Sequence, residues 1–123
     1  MFVNKYEVNI TTDAEGDGVG YTPDVNGRVL SISYVKPTSG GYDDGVDFDI
    51  VGEKSGVEIL DKDDVNASVT YCPRQPTHTT KGAAAEYADG FAVNDFIYLN
   101  ERIKITVAAG GNKGTGKFIV YVG

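Results

Sequence analysis

Tryptophan is absent from this sequence, and cysteine and histidine occur once each, as Cys72 and His78. A lone cysteine excludes an intramolecular disulfide and fits assembly in a reducing cytoplasm, with Cys72 as a small buried or half-buried side chain. A lone imidazole, flanked by Thr77 and Thr79, has no rigid frame in which to serve a nucleophilic triad. One histidine plus one cysteine would leave carboxylates to complete any tetrahedral zinc site. No apolar run approaches the roughly 20 residues of a membrane-spanning helix. The start, MFVNKYEV, lacks the apolar core of a signal peptide, so the expectation is a chain used without Sec export and outside membranes. Positive charge is also scarce. The net charge is −7; residues 13–64 hold thirteen acids against four bases, and residues 65–123 four acids against six bases. An acidic pole of that size repels phosphate backbones, which disfavours nucleic-acid binding. None of the eighteen acids is singled out as half of a glycosidase pair. The expected class is non-enzymatic.

What is present points to strands. Sixteen glycines, eight tyrosines and 41% apolar residues suit many short strands joined by tight turns, and 123 residues can bury one core. Residues 3–12 alternate, with Tyr6, Val8 and Ile10 on one side. Asn26-Gly27 reads as a tight turn ahead of a strand over residues 28–36, ended by Pro37. Val46, Phe48 and Ile50 alternate with Asp47 and Asp49. A short run at 57–60 precedes an acidic turn, Asp61 to Asp64, and a further strand over 65–72. At the C-terminal end, Ile103, Ile105 and Val107 share one face and Phe118, Val120 and Val122 another. The glycine-rich loop between them predicts a hairpin that pairs Val107 with Phe118 and turns all six side chains inward. Straight continuation of the strand at 96–99 would turn Glu101 inward too, which calls for a bulge at Asn100-Glu101 or an arginine partner. The expected fold is all-β: a single domain, residues 1–123, forming an antiparallel β-sandwich or barrel of about eight strands. No internal repeat stands out. One long proline-containing loop, residues 73–90, breaks the rhythm, and Ala83 to Ala88 have the composition for one or two helical turns.

Three stretches carry candidate chemistry. Gly111 to Lys117 fits the phosphate-loop pattern G-x-x-x-x-G-K, but Phe118 stands where a magnesium-binding hydroxyl is needed, and the glycines open a strand rather than a helix. Asp13, Glu15, Asp17 and Asp24 fall at positions 1, 3, 5 and 12 of a calcium loop, with Gly18 at the turning position. Their flanks are strands, so no cofactor is expected and calcium is the alternative. Asp43, Asp44, Asp47 and Asp49 read as a solvated acidic face. The loop 73–90 is the candidate contact surface, with Arg74, Gln75, His78 and Lys81 as its contacting side chains.

The blocks TTDAEGDGVGYTPDVNGRVLSISYVK, PRQPTH with GAAAEYADG, and NERIKITVAAGGNKGTGKFIVYVG together resemble small structural proteins of tailed bacteriophages. The resemblance implies a virion component made in the host cytoplasm: a capsid decoration, or cement, protein that binds the major capsid protein and forms homo-oligomers. A neck or tail protein is the alternative, and a calcium- or carbohydrate-binding module the alternative outside that group. Eight tyrosines keep sugar binding open, against the lack of tryptophan.

Overall fold

A computed structural model describes residues 2–123 and contains eleven strands and no helix among them. They are β1 (Asn4–Thr11), β2 (Gly18–Tyr21), β3 (Val25–Val35), β4 (Val46–Gly52), β5 (Glu58–Val65), β6 (Val69–Tyr71), β7 (Gln75–Pro76), β8 (Asn94–Asp95), β9 (Ile97–Glu101), β10 (Ile103–Ala108) and β11 (Thr115–Val122). All ladders between them are antiparallel. The first sheet runs β1-β11-β3, and the second runs β2-β10-β4-β5. Val29 pairs with Val122 on one side and Ile97 on the other, so β9 and β11 flank β3 from opposite sides. Strands β9 and β6 therefore share one edge of β3, at Val25 to Val29 and at Ile32 to Tyr34 respectively.

The period-2 patterns place the core. Val8 and Ile10, Ile32 and Tyr34, Phe48 and Ile50, Ile103, Ile105 and Val107, and Phe118, Val120 and Val122 are all buried. Each such side chain contributes about 1.5–3 kcal/mol by leaving water. Rings tie the sheets together: Phe48 of the second sheet stands edge-on to Phe118 and Tyr34 of the first, with centroids 4.9 and 4.8 Å apart. Two buried threonines close the backbone account. Thr12 Oγ1 accepts from the Gly114 amide and donates to Gly111 O, while Thr22 Oγ1 accepts from the Ile103 amide and donates to Pro23 O.

Four readings of the sequence are corrected. The runs 103–107 and 118–122 do face inward, but β10 and β11 do not pair. β10 lies between β2 and β4, and β11 between β1 and β3, so the glycine-rich loop carries the chain from one sheet to the other. Asn26-Gly27 is no turn; both residues lie inside β3, paired with Asn100 and Leu99. Asp61 to Asp64 are no turn either, since β5 runs through them with Asp61 opposite Asp49. Cys72 is exposed.

The chain also changes sheet at Arg102, between β9 and β10, and this corner settles Glu101 without a bulge or an arginine. Its Oε1 accepts from the Lys54 amide (2.9 Å), the Ser55 amide (3.0 Å) and the Ser55 hydroxyl (3.1 Å). Gly52 leaves room for that carboxylate, because a Cβ there would sit 2.5 Å from Oε1. Arg102 turns outward, pairs with Glu53 and stacks on Tyr21. The Ser55 amide foremost, helped by the Lys54 amide and the Ser55 hydroxyl, holds the Glu101 carboxyl below its ordinary value of 4.5, against the upward push of partial desolvation. A lowered folded pKa contributes stability above the ordinary value and loses it as pH falls through the lowered one. Melting temperature followed from pH 7 down to pH 2 is therefore expected to fall less steeply below pH 4.5 for Glu101→Gln than for the unaltered chain. Parallel acid limbs would remove Glu101 from the corner.

Candidate functional site

Residues 73–96 are inserted between β6 and β9, at the point where one strand along the edge of β3 gives way to the next. They form an arm. Its stem is the pairing of β7 with β8, Gln75 opposite Asp95 and Pro76 opposite Asn94. Beyond the stem the backbone opens into a three-way junction. The Thr77 amide donates to Val93 O, the Val93 amide to Ala85 O and the Ala85 amide to Thr77 O, at 2.9 to 3.0 Å. Two short leaves leave this ring of bonds. In the first, the Thr79 amide donates to Ala83 O and the Gly82 amide to Thr79 O; in the second, the Tyr87 amide donates to Phe91 O and the Gly90 amide to Tyr87 O. Both turns place their glycine at positive φ, +82° for Gly82 and +87° for Gly90.

The arm is thus built on an eight-residue structural repeat, with Thr77, Ala85 and Val93 equivalent at the junction. The signal for it is the recurrence of T-T-K-G and Y-A-D-G eight residues apart. The repeat also explains why Ala83 to Ala88 form no helical turn. Gly82 and Gly90 close turns at positive φ on either side of the stretch, and the Ala85 amide is taken by the junction.

From residue 76 to 95 only Thr77, Ala85 and Val93 are not exposed. Among the described residues, the hydrogen bonds of residues 76–94 stay within the arm. The second leaf presents two aromatic side chains to solvent, Tyr87 at 61% and Phe91 at 72% exposure. These are the residues that sequence reasoning missed; their signal is a pair of rings bracketing an Ala-Asp-Gly turn.

The four side chains expected to make contacts divide into two groups. Arg74 and Gln75 fix the root: the Arg74 guanidinium lies 4.1 Å from the Phe96 ring centroid, Arg28 lies 5.0 Å from the same centroid, and Gln75 Nε2 donates to Phe96 O. His78 and Lys81 stand exposed on the first leaf. The second leaf carries Glu86 and Asp89, so the charge polarity expected between the two ends of the chain recurs within the arm, one leaf basic and the other acidic.

The candidate calcium residues are placed differently. Asp13 Oδ1 accepts from the Glu15 and Asp17 amides, both at 2.9 Å, which makes it the organiser of the β1–β2 turn. Strand β2 separates that turn from Asp24. Among the described residues, the group of three or more acids with carboxylate oxygens all within 4.8 Å of one another is Asp49, Glu58 and Asp61, exposed on the outer face of β4 and β5. A hydrogen bond with Asp49, then partial burial, then the charges of Asp49 and Asp61 push the Glu58 carboxyl up to about 7. Oxygens so grouped have the chemistry to ligate a hard cation. Two of the other acids serve other ends: Asp44 pairs with Lys36, and Asp47 Oδ1 accepts from the Asp64 amide. In the loop 109–114 three amides are already taken: those of Gly110 and Lys113 donate to Gly16 O and Asp13 O, and that of Gly114 to Thr12 Oγ1.

No family model matches the chain, and no curated protein matches it. Among solved structures it is similar to the crystal structure of FLHE, at 9% sequence identity and a TM-score of 0.47, over 99% of this chain and 98% of that one.

Proposed function

We propose that the chain is a non-enzymatic structural component of a tailed-phage particle, a capsid decoration protein that binds the major capsid protein through its arm. The observation that carries this reading is the arm itself: some twenty residues whose hydrogen bonds stay within the arm, that bury almost nothing of their side chains and stand out from an all-β body. An exposed, pre-ordered element of this kind loses little conformational freedom on docking, which is what a contact element requires. The likeness of the sequence blocks to phage structural proteins supports the location. Arrayed on a shell, contacts that are weak singly gain through multivalency. In the alternative location, the neck or tail, the same arm would serve a different virion partner.

The test is co-sedimentation of the purified chain with phage heads that lack it. Residues 77–93 are replaced by Asn-Gly, which closes Pro76 onto Asn94 as a two-residue hairpin. This variant is expected to melt within a few degrees of the full chain, since the arm adds little burial, while its occupancy on heads falls at least about tenfold. Lys81→Ala is expected to lower occupancy by a smaller factor. Equal binding with and without the arm, or binding to tails and not heads, would refute the head-binding role; turnover of a substrate would replace it with an enzyme.

A further inference from the structure

The first sheet has a groove on its outer surface, of about 410 Å³, where β1, β11 and the end of β3 meet. Asn9, Lys117 and Val35 lie in register across the three strands. Pro37 and the bare backbone of Gly116 complete an apolar concavity in which Val35 remains 38% exposed. Lys117, on the wall, makes no ion pair among the described residues. An exposed apolar hollow with an unpaired cation beside it has the chemistry to receive an apolar side chain flanked by an acid. The other half is on the same chain: the second leaf of the arm offers two exposed rings, Tyr87 and Phe91, flanked by Glu86 and Asp89. Knob and hollow match in polarity, and their flanking charges are of opposite sign.

We infer that the second leaf of one molecule docks into the β1–β11–β3 groove of a second copy, with Phe91 and Tyr87 entering the hollow and Glu86 or Asp89 facing Lys117. The contact is heterologous, arm to groove, so each molecule donates one leaf and receives another, and association ends in a ring where the rotation closes and continues as an open chain where it does not. The inference rests on the assembly reading above and names a second partner for the arm. His78 and Lys81 of the first leaf stay free for the particle.

A heterologous contact has a property that a symmetric one lacks. A molecule with a damaged arm keeps its groove, and a molecule with a damaged groove keeps its arm. Sedimentation velocity over a concentration series of the full chain is expected to show self-association. Phe91→Ser in the arm and Val35→Glu in the groove, both at exposed positions, are each expected to weaken it at least about tenfold. An equimolar mixture of the two variants is expected to yield a dimer, through the one intact arm and the one intact groove, and nothing larger. Glu86→Lys and Lys117→Glu provide a second pair that leaves the apolar surfaces intact: either alone weakens association, and their combination in one chain restores part of it. Melting curves check that each variant is folded. A chain that stays monomeric to millimolar concentration, variants that associate as the unaltered chain does, or a mixture that gives no dimer would overturn the inference. Arm-dependent binding to heads by a monomeric chain would overturn it while leaving the particle role standing. Arm-to-groove association without head binding would do the reverse.

Discussion

Replacing Phe118 by alanine is expected to cost about 3–5 kcal/mol of folding stability, enough to unfold much of the population of a domain of this size under mild heating. Phe118 is fully buried on β11, which is held on both sides by β1 and β3. Its ring stands at 83° to Phe48 across the sandwich and 5.6 Å from Tyr34 on the neighbouring strand. Removal forfeits burial and leaves a cavity whose walls are themselves rigid rings, so the site has little freedom to collapse. Tyr121, half-buried on the outward face of the same strand, is the control, and its change to alanine is expected to cost about a third as much. Urea unfolding decides between them, as a shift of the midpoint with an unchanged slope. A loss below about 1 kcal/mol for Phe118→Ala would contradict the ring cluster as the link between the sheets.

Gly116→Ala, the addition of one methyl group two residues away, is expected to cost about 2–3 kcal/mol. A Cβ at that position would lie 2.4 Å from Cε2 and 2.8 Å from Cζ of Tyr42, and 3.0 Å from Cε1 of Tyr34. Neither ring can move aside easily. Tyr42 is buried, stacks on Tyr34 at 5.8 Å and donates its hydroxyl to Ile10 O at 2.7 Å. The diagnostic measurement is the double change Gly116→Ala/Tyr42→Ala in a thermodynamic cycle. Once the ring is gone the new methyl group has room, so the pair is expected to cost less than the sum of the single changes by about 1 kcal/mol or more. Additivity would mean that the strand, rather than the ring, had yielded.

These two positions also mark what the sequence makes legible. Alternation at 103–107 and 118–122 identifies six inward side chains because parity depends only on the strand's own pleat. The partner of each strand is another matter. Pairing depends on where the rest of the chain has gone, and a glycine-rich loop between two strands serves equally for a turn within a sheet and an arch between sheets. Asn26-Gly27 misleads for a related reason: the dipeptide favours a turn locally, but Gly27 is claimed by a β3 partner some seventy residues away. Asp61 to Asp64 look like a turn because four consecutive polar residues have no inward phase, yet β5 continues through them beside β4, with Asp64 at a positive φ where the register shifts. The close approach of Tyr42 to Gly116 leaves no trace in the order of residues, since it joins a loop to a strand across more than seventy positions. At the arm, proline content and length single out the segment, but Arg74 and Gln75, expected with His78 and Lys81 as contacting side chains, lie at its root against Phe96. Nor do proline content and length reveal the junction, which consists of backbone bonds among Thr77, Ala85 and Val93.

The place of β11 in the first sheet bears on how the protein is made. This strand, at residues 115–122, is the middle member between β1 and β3, and β10, at residues 103–108, holds the same position in the second sheet. A nascent chain emerging from the ribosome therefore releases β1 and β3 before the strand that joins them, and β2 and β4 before theirs. With synthesis at about 5–20 residues per second, β1 and β3 wait on the order of several seconds, strand edges open, for the segment that joins them. Pairing across such sequence separations is slow in itself. During that interval the exposed edges can meet those of other nascent chains, so the yield of folded protein depends on translation rate and on holdase chaperones more than its modest size would suggest.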